Sequence, residues 1–169
     1  MALIDGLLQE LEDEAKTTRR VLERVPGDRL SWRPHEKART LGELALHVAS
    51  VPGGVAMLVA SPSPAQAPQF VDPSPKSVAE LIPMLDWSIA KAKEVLGGID
   101  DAAITSPFTL MSGDRELFTT PRVALARSIM LNHWYHHRGQ LTVYLRELGV
   151  AVPSIYGPSA DENPFQSGT

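Results

Sequence analysis

Between Ser61 and Pro75 this chain carries five prolines, Pro62, Pro64, Pro68, Pro73 and Pro75, and no other stretch restricts its fold so severely. Proline donates no backbone hydrogen bond and its ring clashes with the preceding turn, which excludes regular helix here. The stretch is therefore read as a long loop, and the core must be built from the segments on either side of it.

Those segments carry helical periodicity. From Ile4 to Val25 the apolar residues Ile4, Leu7, Leu8, Leu11, Ala15, Val21, Leu22 and Val25 fall largely on one face at a 3.6-residue period. Acidic residues crowd the first half and basic residues the second, the order that complements a helix dipole, and Pro26-Gly27 stops the helix. Trp32, in the connection Leu30-Ser31-Trp32-Arg33-Pro34, is expected to pack against the helices. A second helix opens at Thr40 with Glu43 three residues on, a capping box, and passes through His47 towards Val51. Pro52-Gly53-Gly54 either ends it or breaks it before Val55–Ala60.

The third helix is predicted from about Ser77 to Leu96, closed by Gly97-Gly98, with Pro83 forcing a late start or a kink. Residues 99–119 lack a helical period, and the runs on either side of Ser112-Gly113-Asp114 have the pattern of a small hairpin. Thr120-Pro121 reads as an N-cap followed by a first-turn proline, opening a last helix that runs to Leu148 and closes at Gly149. Gly139 interrupts that helix at about 1 kcal/mol relative to alanine. Residues 150–169, with Pro153, Gly157, Pro158 and Pro164, form a tail that either packs back over the helices or stays partly disordered. The expected architecture is all-α, a bundle of four helices in one domain over residues 1–169.

A length of 169 residues suits one domain, and 43% hydrophobic with 21% charged residues is ordinary for a globular protein. No run approaches the roughly 20 uninterrupted apolar residues of a membrane span, so no membrane is expected. The N-terminus lacks a basic region and meets Glu10-Leu11-Glu12-Asp13-Glu14 at once, unlike a signal peptide, which points to the cytoplasm. A net charge of −4, without an extended basic cluster, speaks against a nucleic-acid partner. The chain has no cysteine, which removes disulfides, thiolate ligands and a cysteine nucleophile together.

Any transition-metal site must then be assembled from His, Asp and Glu, and the histidines are arranged for it. Three of the five lie in Leu131-Asn132-His133-Trp134-Tyr135-His136-His137-Arg138-Gly139-Gln140-Leu141. Residues i and i+4 of a helix differ by only about 40° of rotation, so His133 and His137 project together, while His136 stands about 100° away from His137. Ile129, Leu141, Tyr144 and Leu148 continue the stripe of the pair, which places it on the core-facing side. His47, flanked at helical spacing by Leu44 and Val51, is the same kind of residue on the second helix. Two helices thus direct imidazoles into a shared interior, as bundle metal sites do. Three neutral imidazoles suit zinc or nickel, and three protein ligands leave a tetrahedral ion one open position. His35 and His136 read as a loop residue and a helix-flank residue. Position 134, where an H-E-x-x-H motif has its base, holds Trp134, and neither a G-x-S-x-G elbow nor a Gly-rich phosphate loop occurs.

The segment Leu44-Ala45-Leu46-His47-Val48 after Trp32-Arg33-Pro34, the motif His136-His137-Arg138-Gly139-Gln140-Leu141, and the continuation through Leu145-Arg146-Glu147-Leu148-Gly149 to Tyr156-Gly157 resemble the DinB family, the DinB/YfiT-like metalloenzymes. The resemblance implies a four-helix bundle with one long crossover, often a homodimer, and a nickel or zinc ion on three histidines. These map onto His47, His133 and His137, and His47 as third ligand rests in large part on this likeness. Relatives include enzymes that use low-molecular-weight thiols, among them bacillithiol transferases and mycothiol-dependent maleylpyruvate isomerase. Members often carry Glu after the first histidine of the last-helix motif, and Trp134 departs from that, which removes an acid or base from that place. The family's link to DNA-damage induction is regulatory and implies no DNA binding.

Three readings follow. The leading one is a metal-dependent enzyme with a thiol S-transferase-like activity on a small-molecule substrate; no general acid or base is assigned. The alternative is a non-catalytic, metal-binding dimeric bundle with a structural or ligand-binding role. The third is a metal-free bundle whose three histidines are core residues.

Overall fold

A computed structural model describes residues 2–69 and 71–165. Helix α1 (Leu3–Leu22) is followed by a 3-10 turn (Gly27–Arg29) and helix α2 (Leu41–Ala60). The described part of the Pro-rich segment holds a two-residue strand β1 (Ala65–Gln66), then a 3-10 turn (Val78–Glu80) leads into α3 (Leu81–Leu96). A short helix α4 (Asp101–Thr105), strands β2 (Pro107–Ser112) and β3 (Arg115–Pro121), and helix α5 (Arg122–Leu125) come next. A wide π-helical stretch, Ala126–Asn132, joins α5 to α6 (His133–Glu147).

The chain is mostly helical, as the periodicity predicts, but it is not all-α. Strands β2 and β3 form the antiparallel hairpin expected around Gly113, whose φ of +58° suits a residue without Cβ. The hairpin captures β1 in parallel, pairing Ala65 with Leu110 and Gln66 with Met111, a pairing no local pattern announces. Phe108 and Leu110 turn inward from β2 and are buried. The last helix also starts later than predicted. Thr120 and Pro121 end strand β3, pairing with Phe108 and Pro107, so the proline lies before the helix rather than in its first turn.

Helix α1 begins where the Asp101 carboxylate accepts from the Leu3 N–H at 2.7 Å, satisfying one of the orphan donors of a first turn. The Thr40–Glu43 capping box of α2 forms as expected, with Glu43 accepting from the Thr40 N–H at 2.7 Å and Thr40 Oγ1 accepting from the Glu43 N–H at 3.2 Å. In α3, Pro83 occupies the first turn, where its missing N–H leaves no intrahelical bond unmade.

Helix α2 is the spine, packing against both α3 and the last helix. It runs unbroken through Pro52-Gly53-Gly54, and its neighbours supply the missing bonds. The Val48 carbonyl, which Pro52 cannot serve, accepts from the Trp134 indole N–H at 2.7 Å. The Gly53 N–H donates to Ser88 Oγ at 2.7 Å, and Ser88 Oγ donates to the Ser50 carbonyl at 3.1 Å. A Cβ on Gly53 would lie 2.9 Å from the Ser88 backbone, so only glycine allows α2 and α3 this close. Its far end is closed by Arg122, whose guanidinium donates to the Val59 and Ser61 carbonyls.

By length and apolarity α2 alone among the described helices could cross a membrane, yet 56% of that window is buried inside the fold. Its apolar surface serves the core. Trp32 packs edge-on against Tyr144 with ring centroids 5.5 Å apart, as expected of it. The described part of the tail packs back: Glu162 accepts from Arg20 at 2.5 Å, and Asp161 pairs with Arg146. Residues 166–169 of the predicted tail lie outside the described residues.

Candidate metal centre

The three histidines singled out in the sequence meet where α2 passes the start of α6. One nitrogen from each of His47, His133 and His137 lies within 4.8 Å of the other two, an arrangement that could hold a metal ion. His47 Nε2 and His133 Nε2 are 3.1 Å apart. The rings of His137 stand 4.5 Å from His47 and 4.3 Å from His133 by centroid, each close to perpendicular. Nitrogens at zinc-bond lengths of about 2.0–2.1 Å on a tetrahedron stand about 3.3 Å apart, so the donor set fits a small divalent ion with modest closure. Without an ion, His47 and His133 can share a single proton, one ring donating to the other.

Gln140, one turn after His137, decides which nitrogen of that ring is offered. His137 Nδ1 and Gln140 Oε1 lie 2.7 Å apart, so the Nδ1–H donates to the amide oxygen and Nε2 keeps its lone pair for the cluster. All three imidazoles are held towards the neutral, ligating form. Burial pushes His47 down to about 4, reinforced by the facing His137, by Arg39 and by His133, against a small opposing pull from Asp72. Burial likewise pushes His137 down to about 4 despite the Gln140 bond, and lowers His133. Among the described residues, none of the three imidazoles is hydrogen-bonded to a carboxylate.

The site sits at the margin of the core rather than in its centre. His137 is buried, and His47 and His133 are half-buried. Ile129, which the straight-helix stripe places inward, is 39% exposed. The π-helical stretch ending at Asn132 explains the difference, because its wider turns shift the phase of everything before His133 relative to α6. Trp134 is fully buried, and its bond to the Val48 carbonyl ties the residue after His133 to the residue after His47. It is a strut between the two histidine-bearing helices. His136 is exposed on the flank and His35 lies in a loop, where its Nδ1 accepts from the Lys37 N–H at 3.1 Å, both as predicted.

Two cavities reach the cluster from opposite characters of surface. One, of about 340 Å³, is lined by Lys37, Ala38, Arg39, Leu44, Asp72, His137, Gln140 and Tyr144 and is mainly polar. Arg39 and Asp72 are paired across it at 2.8 Å. The other, of about 580 Å³, starts at His47 and His133 and is walled almost entirely by apolar side chains of α2, the hairpin and the last helix. Gln140, Arg39 and the hairpin residues Leu110 and Phe118 were not picked out as site residues. Gln140 had a signal, its place one turn after His137, whereas the others reach the site only through the loop and sheet pairing.

A family model for the DinB family matches residues 2–166. The chain belongs to the DinB family. Among solved structures it resembles a DinB-like protein from Bacillus cereus ATCC 10987, at 23% identity and a TM-score of 0.68, covering 90% of this chain and 97% of that one. A DinB-like protein from Bacillus subtilis, YjoA, superimposes with a TM-score of 0.66 at 19% identity, covering 89% and 97%. These likenesses show a shared DinB-like fold. In sequence, the uncharacterized protein YrdA of Bacillus subtilis strain 168 is 52% identical over 33 residues, a match that spans about a fifth of each chain, 20% in both.

Proposed function

We propose that this DinB-family chain is a metal-dependent enzyme that holds zinc or nickel on His47, His133 and His137 and transfers the sulfur of a low-molecular-weight thiol to a small electrophile. The observation that carries the reading is the convergence of three neutral imidazoles, with no fourth ligand in the group among the described residues, where two cavities reach the cluster. When bound on three nitrogens, such an ion keeps an open position and lowers the pKa of a thiol placed there.

The chain's own residues do the rest. Gln140 keeps His137 in the ligating tautomer, and Trp134 holds the two helices in register. The Lys37 and Arg39 side of the polar cavity suits the charged, hydrogen-bonding body of a soluble thiol cofactor. In the transfer the thiol loses its proton to solvent, its sulfur forms a bond to the electrophilic carbon, and the leaving group departs with its electron pair. Family likeness also leads us to propose a cytoplasmic homodimer, which sedimentation of the purified chain tests.

The decisive experiment begins with the metal content of protein purified without a nickel column. Turnover is then measured across thiols and electrophiles, with and without added zinc or nickel. Thiol consumption that requires the metal and is lost in His47→Ala supports the reading, and a fully metal-loaded protein inert towards all of them overturns it.

A further inference from the structure

The larger cavity has a composition that selects its occupant. Val51, Val55, Leu58, Leu110, Phe118 and Ile129 are among its walls, and no charged side chain lines it among the described residues. Among the described residues, Ser50, His47 and His133 are the only lining side chains able to hydrogen-bond. A sugar, nucleotide or phosphate placed in it would lose water from several polar groups without recovering partners, at about 1–3 kcal/mol for each group. Its volume of about 580 Å³ lies inside the usual range for small-molecule sites of roughly 300–1,000 Å³. The polar cavity on the His137 side has the opposite chemistry, so the two mouths of the cluster are fitted to different molecules.

We propose that this cavity binds the apolar body, an alkyl chain or a single aromatic ring, of the molecule that reacts beside His47 and His133. The assignment rests on the reading of the cluster as a metal centre, and it makes the electrophile a hydrophobic small molecule rather than a polar metabolite. Specificity then lies in the α2 stretch after His47 and in the β2–β3 hairpin, not in the histidines. Gly54 provides a means of closing the cavity without disturbing its walls, because a Cβ built there meets no atom within 4 Å.

The zinc-loaded chain is titrated calorimetrically with ethanethiol, butanethiol and hexanethiol. The metal-free chain is titrated with the matching alcohols and followed through the methyl resonances of Met57 and Ile129. In both series affinity rises about fourfold for each added methylene until the cavity is filled. Gly54→Phe abolishes that rise and leaves zinc content unchanged. Equal affinities for the two-carbon and six-carbon members, as expected if a second copy of the chain covers the mouth, overturn the proposal. So does a Gly54→Phe protein that binds the six-carbon compounds as tightly as the unmutated chain. If zinc is not retained while the alcohols keep their length dependence, the metal reading fails and the cavity assignment stands.

Discussion

His137 and Arg138 are neighbours in the chain, both buried, and they lead into two polar clusters of opposite kind. Arg138 donates to Thr18 Oγ1 at 3.1 Å, to the Glu14 carbonyl at 3.3 Å and to the Tyr156 hydroxyl at 2.5 Å. It pairs with the Glu14 carboxylate at 2.6 Å and faces the rings of Tyr135 and Tyr156. In that cluster donors meet acceptors, which is the condition for burying a charge. The imidazole cluster lacks such matching: three rings turn nitrogens towards one another, and the one neutral side chain bonded to them, Gln140, leaves a lone pair facing inward. Burial alone does not separate the two clusters. The direction of the lone pairs does.

This contrast can be broken by substitution. The largest effect is expected from His137→Ala, which reduces bound zinc or nickel to background by elemental analysis; retained stoichiometric metal would show that the imidazoles are not a ligand set. Arg138→Ala is expected to leave metal stoichiometry intact and to lower stability by about 3–5 kcal/mol in urea denaturation, because Glu14 and Thr18 lose their buried partner. A loss of metal without a loss of stability would reverse the assignment of the two clusters.

Trp134→Phe keeps the ring but removes the donor to the Val48 carbonyl, at an expected loss of about 1–3 kcal/mol in the same measurement. Gln140→Leu is expected to weaken metal binding by roughly 10–100-fold in a competition titration with a chelator, with little change in the stability of the metal-free chain. The same imidazoles should also make stability depend on pH. His47 and His137 are held near 4 in the fold against an ordinary value of 6.5, so as pH falls the unfolded chain takes up their protons first. The metal-free protein should therefore keep its full histidine contribution above about pH 6.5 and lose it progressively as pH falls to about 4. His47→Ala should flatten that decline in thermal melts, and an unchanged slope would place the titration elsewhere.

Legibility differed between the site's parts for physical reasons. The spacing of His133 and His137 could be read because helical geometry turns four residues into one face, and the capping box of α2 is equally local. Whether Pro52-Gly53-Gly54 ended α2 could not be read, since the bonds that carry the helix through come from Ser88 and Trp134, 35 and 86 residues away. The hairpin was visible on either side of Ser112-Gly113-Asp114, between Ile104 and Phe118, but its extension by β1 was not, because two residues of backbone pairing leave no side-chain pattern. Thr120-Pro121 misled for the opposite reason: the same pair of residues that suits a helix start also suits the end of an edge strand.

By itself, then, the sequence determined the helices, the place of the Pro-rich loop, and a pair of imidazoles on one face, all of which follow from interactions within a few residues. The chemistry of the site was settled only in three dimensions. A π-helical stretch set the phase of the last helix, a distant indole took the carbonyl that Pro52 left open, and the hairpin supplied the second wall of an apolar cavity. Each depends on groups far apart in the chain brought together by a shared core, and the surroundings of the imidazole cluster are built from such pairings.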